Sequence, residues 1–310
     1  MDSSYHSGET AVQDRAGLTR QAGSAGRAIK DSVPEVAMAF LAQQPMLVLG
    51  GTDGAGRVWA TQLTGEPGFL STPDPRTLHV GSLPLPEDPL AGVLAGPDGG
   101  TGPARIGAIA IEPATRRRMR VNGRAVRDGQ GLRIDLDQVI SNCPKYLQTR
   151  DYRLLPAHDH DARTRSVTDS TALSPAQQQA LRTADTFFVA TASDRGDADA
   201  SHRGGNPGFV EVLSPTRLRW PDYLGNSMFL TLGNLELNPA AGILLPGWET
   251  GGTLHLTGTA HTVWDAEETA RVPGAQRLVE FEIEGVREIT AASPLRWSEP
   301  GYSRFNPPVV

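Results

Sequence analysis

The sequence predicts a mainly β protein in which one unit, a helix and about six strands, is used twice. Three observations carry this expectation. Glycine (34) and proline (24) are spread through the 310 residues while aromatic residues make up only 6%, as in chains of many short elements joined by tight turns. Segments such as Leu132-Arg-Ile-Asp-Leu136 and Leu278-Val-Glu-Phe-Glu-Ile283 alternate with period two, the pattern of a half-buried strand. A series of short signals also recurs in the same order about 140 residues later.

Residues 1–31 are polar, rich in Gly, Ala and Ser, and are expected to form an arm ordered only by contact with the body. The first half, 32–150, opens with Ser32-Val-Pro-Glu35, a capping-box spacing ahead of Val36, Ala37, Phe40 and Leu41. The second half, 174–310, opens with Ser174-Pro-Ala-Gln177 and Leu181, with proline at the first helical position. Strands follow at Met46–Leu49 and Phe187–Ala192, then turns at Asp53-Gly54 and Asp194-Arg-Gly196. Glu66-Pro-Gly-Phe69 matches Asn206-Pro-Gly-Phe209, Arg76-Thr-Leu78 matches Thr216-Arg-Leu218, and Asn122-Gly-Arg-Ala125 matches Thr257-Gly-Thr-Ala260. Each half closes with a Cys143-Pro144 or Ser293-Pro294 step. Residues 151–173 show neither periodicity and read as a linker, to which His158-Asp-His160 owes its composition.

Lys and Arg number 29 against 35 Asp and Glu, a net charge of −6, which argues against nucleic acid or an acidic membrane surface as partner. The single cysteine excludes an internal disulfide framework and a Cys-rich zinc site, and no metal site is expected. No run approaches the ~18 apolar residues of a membrane helix, and the N-terminus lacks a secretory apolar core. A cytoplasmic protein is therefore expected.

The second half carries the more particular residues: Ser201-His-Arg-Gly-Gly-Asn-Pro-Gly-Phe209, Trp220-Pro-Asp-Tyr-Leu-Gly-Asn226, Leu232-Gly-Asn234 and Asn238-Pro239. With Asn142-Cys-Pro-Lys-Tyr-Leu147 and His6-Ser-Gly-Glu9, they resemble the pyridoxamine 5'-phosphate oxidase-like family of FMN-binding split barrels. The resemblance implies a β-barrel with a few short helices: two fused split-barrel halves forming an intramolecular pseudo-dimer, with FMN between them. It also implies that the main FMN site lies in the second half. The matching stretch of the first half, Val80 to Pro89, has too many prolines to offer a run of backbone donors.

FMN needs a grip on a phosphate dianion, a flat slot for its ring and partners for its polar edge. Arg203 is the expected phosphate ligand because its planar fork matches phosphate oxygens, with Ser201, His202, Asn226 and Ser227 as helpers and Asn234 nearby in the motif. Trp220 and Trp248 either flank the ring or sit in the core. Glu249 and Thr250 either reach the ring edge or form a solvated turn. For substrate contact the candidates are Asn142, Lys145 and Tyr146 from the first half and Arg296-Trp297 near the C-terminus. Cys143 is expected to be a small buried hydrophobe, and Arg116, Arg117, Arg118 and Arg120 a charged hairpin end.

No Walker loop, dinucleotide Gly-x-Gly-x-x-Gly or nucleophile elbow is present. The expectation is an FMN-dependent oxidoreductase acting on a small organic substrate. Its electrons would come from that substrate, from a transiently docked nicotinamide or from a separate flavin reductase, and a homodimer is allowed. A non-catalytic flavin or haem carrier and a deazaflavin-dependent reductase are the alternatives.

Overall fold

The computed structural model describes residues 5–94, 102–141, 143–161 and 163–309. An N-terminal arm of helices α1 (Ser7–Arg15) and α2 (Thr19–Gly26) precedes α3 (Glu35–Ala42). Strands β1 (Met46–Thr52), β2 (Val58–Thr64), β3 (Leu70–Asp74), β4 (Thr77–Val80), β5 (Ala104–Glu112), β6 (Arg117–Asp128) and β7 (Gly131–Ser141) follow, with the short α4 (Ala91–Leu94) before β5. The connecting stretch holds β8 (Tyr152–Leu154), α5 (Ala157–Asp161) and β9 (Val167–Ser170). Then come α6 (Pro175–Thr183), β10 (Thr186–Ala192), β11 (Ala198–Gly204), β12 (Glu211–Ser214), β13 (Arg217–Tyr223), α7 (Leu230–Leu237), β14 (Ala240–Pro246), β15 (Thr253–Val263), α8 (Ala266–Ala270), β16 (Ala275–Ile289) and β17 (Leu295–Trp297). No helix of the described residues is long and apolar enough to cross a membrane.

The strands form two large antiparallel sheets, ordered β2-β1-β5-β6-β7-β4-β3 and β11-β10-β14-β15-β16-β13-β12, with β9 added to β16. The fold is therefore mixed α/β, and the expected split β-barrel is corrected: neither sheet closes, because the terminal strands of each, β2 with β3 and β11 with β12, do not pair. The reason lies in what covers those edges. Strand β2 packs on β10, β14 and β15 of the other sheet, β11 packs on β1, β5 and β6, and α3 lies on β3. An edge covered in this way has no need of a closing partner.

Both sheets run in the same spatial order, and their irregularities coincide. The β6–β7 ladder slips between Asn122 and Gly123, and the β15–β16 ladder slips between Thr257 and Gly258. A Cβ at Gly123 would meet the Asp135 carbonyl oxygen at 2.1 Å, and one at Gly258 the Glu282 oxygen at 1.9 Å, so each bulge requires glycine.

Three large apolar cores result among the described residues, with a small fourth cluster where Ile140, Met228 and Leu230 meet Tyr5, Ala25 and Ile29 of the arm. One lies within the first sheet and α3, and one within the second sheet, where Val12 of the arm joins Leu181, Trp220 and Phe281. The third lies between the sheets, where Met46, Val48, Val58 and Ile109 meet Phe188, Ala190, Ala200 and Leu244. Each large side chain buried there contributes about 1.5–3 kcal/mol.

The helix starts differ from each other. Ser174 caps α6 through the expected box: its hydroxyl accepts from Gln177 N at 3.3 Å, and Gln177 Oε1 accepts from Ser174 N at 2.9 Å. At α3 the cap is Pro34 and no side chain serves it, because the preceding Val33 amide is tied to the Pro75 carbonyl. The arm is anchored by α1 on α7. His6 caps α1 through Nδ1, which leaves Nε2–H to donate to Asn234 Oδ1 at 3.0 Å. Glu9 is buried at this contact, and burial raises its carboxyl to about 8.

Candidate functional site

Alternation along β6 sends Met119 and Val121 into the first core, and Arg118 and Arg120 from the opposite face toward β11. Arg120 donates to the Asp199 carboxylate at 3.1 Å and to Ser201 Oγ at 2.7 Å. Arg118 donates to the Cys143 carbonyl at 2.9 Å and approaches His202 Nδ1 at 3.0 Å. A guanidinium has only donors, so His202 Nδ1 accepts and the imidazole proton sits on Nε2, which finds no acceptor among the described residues. Burial first, and then Arg118, Arg203 and Arg120, hold His202 well below the ordinary histidine range, which keeps it neutral.

Arg203, on β11, shares Ser201 Oγ with Arg120 at 2.7 Å, and its Nε is buried without an acceptor among the described residues. Burial and the neighbouring arginines lower Arg118 to about 9. Such a group is still charged at neutral pH, so the shift records an unfavourable crowding of cations held in place by the fold.

These side chains open onto a cavity whose mouth is continuous with solvent. Its other walls come from Lys145, Tyr146, Asp222, Tyr223, Arg277 and the segment from Leu224 to Leu232. Tyr146 packs on Tyr223 with ring centroids 5.0 Å apart and donates to the Leu224 carbonyl at 3.2 Å. Tyr146, Ser227 and Phe229 all hold left-handed backbone, with φ of 63°, 62° and 61°. Each costs on the order of 1–3 kcal/mol, and such residues gather where a ligand is gripped. Phe229 is also the N-cap of α7, whose first turn lines the cavity.

Of the residues singled out in the sequence, Lys145, Tyr146, His202, Arg203, Asn226 and Ser227 line this one cavity. Ser201 stands behind it as the shared acceptor of two arginines. The others lie elsewhere. Trp220 fills the second core against Phe187, and Asn234 donates to Thr191 Oγ1 at 3.0 Å while holding the arm through His6. Trp248 packs edge-on against Trp297 and beneath Arg150, and Glu249 and Thr250 are exposed in the turn beyond it. Arg296 is buried and spends its Nη1 on the carbonyls of Ser293 and Leu295. Asn142 lies outside the described residues.

Two expectations are corrected here. Cys143 is exposed at the cavity edge, its strand having ended at Ser141. The arginine run is a hairpin end only at Arg116 and Arg117; Arg118 and Arg120 are walls of the site. Their i, i+2 spacing on an alternating strand was the signal that could have found them. Asp222 and Tyr223 lie inside the Trp220–Asn226 motif with no feature of their own to mark them, and Arg277 carries no local signal.

Among known proteins, residues 173–292 match the family model described as pyridoxamine 5'-phosphate oxidase. No curated protein matches the chain. Solved structures that resemble parts of it include HupZ of Group A Streptococcus, at 13% identity over 36% of this chain and 90% of that one, with a TM-score of 0.30. A putative pyridoxamine 5'-phosphate oxidase of Lactobacillus delbrueckii matches at 18% identity over 38% and 94%, with a TM-score of 0.31. An FAD binding protein of Mycobacterium smegmatis matches at 14% identity over 39% and 98%, with a TM-score of 0.28. The second sheet and its cavity loops thus fall within a region similar to the pyridoxamine 5'-phosphate oxidase-like flavoproteins, a partial similarity that leaves the first sheet unmatched by the family model.

Proposed function

We propose that the cavity binds FMN and that the protein is an FMN-dependent oxidoreductase acting on a small organic molecule. The observation that carries the reading is the set of buried donors without acceptors at one place, Arg203 Nε and His202 Nε2–H, beside the crowded cations Arg118 and Arg120. Buried donors are normally satisfied, and a phosphate dianion would supply both the acceptors and the charge. The residues therefore fit the phosphate of FMN.

In this reading Arg203 and Arg118 hold the phosphate, His202 adds a neutral donor, and Asn226, Ser227 and the first turn of α7 complete the cradle. Tyr146, Tyr223 and Phe229 offer apolar surface for the ring. FMN supplies hydride or electron transfer when bound, and the chain supplies orientation and shelter from water. The two sheets are read as two copies of one unit facing each other, with the first contributing Arg118, Arg120, Lys145 and Tyr146 to a site centred on the second. The proposed partners are a small-molecule substrate and a separate electron donor.

The test is a visible absorption spectrum of the freshly purified protein, followed by denaturation and mass measurement of what is released. Flavin bands at a stoichiometry near one FMN per chain are expected. A colourless protein that also fails to take up added FMN overturns the reading.

A further inference from the structure

The cavity contains a cation that the phosphate cradle does not use. Arg277, on β16, lies opposite Asp222 in the β13–β16 ladder and is only 5% exposed. Its guanidinium carbon lies over the rings of Phe229, at 4.8 Å, and Trp264, at 5.3 Å. Rings so placed hold the cation without satisfying its N–H groups. Asp222 does not fill that role: its Oδ2 is 3.5 Å from Arg277 Nε, and neither Nε nor Nη1 makes a hydrogen bond among the described residues.

The same molecule shows what a structural pair looks like. Arg150, buried as Arg277 is, closes bidentate hydrogen bonds to Asp185 at 3.2 and 2.8 Å beneath Trp248. Arg277 and the half-buried Asp222 do not close in this way. Burial raises the Asp222 carboxyl against the pull of both Arg203 and Arg277, so one acid is shared by two cations.

Charge gives an independent argument. Five cations line the cavity, namely Arg118, Arg120, Lys145, Arg203 and Arg277. Asp199 offsets Arg120 and Asp222 faces Arg277, and a phosphate dianion would offset Arg118 and Arg203, so the cavity as a whole keeps one cation in excess and favours a further anion.

We infer that Arg277 is the centre of a second anion-binding subsite, distinct from the Arg203 group, and that the molecule bound beside the cofactor carries an oxyanion group, a carboxylate or a phosphate, that Arg277 receives. The inference rests on the reading of the cavity as an FMN site. It makes Arg277 a specificity determinant that selects an anionic partner.

The test is a titration of inorganic phosphate into the FMN-saturated full-length protein, followed by flavin difference absorption and by calorimetry. One phosphate is expected to bind without displacing FMN. Arg277→Gln is expected to weaken phosphate by at least about tenfold while moving the FMN dissociation constant by less than about threefold. Asp222→Asn is expected to tighten phosphate by about threefold or more, a gain that loss of folding cannot imitate. Phosphate that only displaces FMN, or that binds Arg277→Gln and Asp222→Asn as it binds the parent protein, overturns the inference. If FMN does not bind at all, the cofactor reading fails separately, and phosphate is titrated into the unliganded protein: two classes of site, one lost in Arg277→Gln, sustain the second subsite, and a single class overturns it.

Discussion

The cavity beside Ser201–Arg203 and the matching place beside Thr61–Leu63 occupy equivalent positions in the two sheets, yet one is open and the other is filled. The ladders fix the equivalence. Gly50 pairs with Ala60 and Gly107, as Ala190 pairs with Ala200 and Gly242. Thr61, Gln62 and Leu63 therefore stand where Ser201, His202 and Arg203 stand. On the facing strand, Gly107 pairs with Asn122 and Gly242 with Thr257, so Thr253 and His255 stand where Arg118 and Arg120 stand. In place of crowded cations the filled position has His255, held by the Ala60 carbonyl at 2.9 Å and Thr253 Oγ1 at 2.8 Å. The chain supplies its own carboxylate there: Asp88 hydrogen-bonds Thr61 and accepts from Leu90 N at 2.8 Å, and Leu90 is buried in the first core. Where the chain brings its own acid, the position is structural. Where it leaves cations and unanswered donors, the position is the one proposed for FMN.

Paired substitutions break or sharpen this contrast. The largest effect is expected from Arg203→Gln, which removes a charged donor worth ~1.5–3 kcal/mol. FMN affinity should fall by about tenfold to a hundredfold, read by flavin fluorescence titration, while the melting temperature holds or rises because one crowded cation is gone. Asp88→Ala should show the opposite pattern: about 1–3 kcal/mol less stability, from stranding Thr61 and the Leu90 amide, with FMN affinity unchanged. If Asp88→Ala weakens FMN as much as Arg203→Gln does, the contrast between the two places fails.

A pH-dependent effect is expected in the arm. Glu9 titrates near 8 in the folded protein because burial disfavours its charge, against a carboxyl of about 4.3 when unfolded. The folded state therefore keeps a proton that the unfolded state loses, and stability declines as pH rises from about 4.3 toward 8. Glu9→Gln should flatten that decline and raise the melting temperature at pH 8. An unchanged pH profile would show that α1 is not held by the neutral acid. The smallest effect belongs to Glu249→Ala and Thr250→Ala, exposed and outside the cavity lining, which should leave FMN affinity within about twofold.

What was legible in the sequence followed the range of the interaction. The capping box at Ser174 is local and forms, whereas the same spacing at Ser32 is overridden when Val33 is drawn to Pro75. The alternating strands and their repeated order are also local signals, but closure of a sheet is not. Whether β2 pairs with β3 or packs on β10 and β14 depends on surfaces distant in sequence, and alternation serves either outcome. The site divides in the same way. His202, Arg203, Asn226 and Ser227 sit in contiguous motifs, while Arg118 reaches His202 across 84 positions and Arg120 reaches Asp199 across 79. Trp248 and Arg296, plausible as a ring flank and a substrate clamp, are instead engaged by Arg150 and by backbone carbonyls.

The core between the sheets also sets an order of assembly. Thr257 Oγ1 donates to the Val58 carbonyl and His255 contacts that of Ala60, across 199 and 195 positions, and contacts so remote are slow to form. During synthesis the face made by Val48, Val58, Ala60 and Ile109 must wait, uncovered, until β10, β11 and β14 have been translated. For that interval the nascent first sheet presents an adhesive apolar surface, and the yield of folded protein will depend on how well the cell shields it.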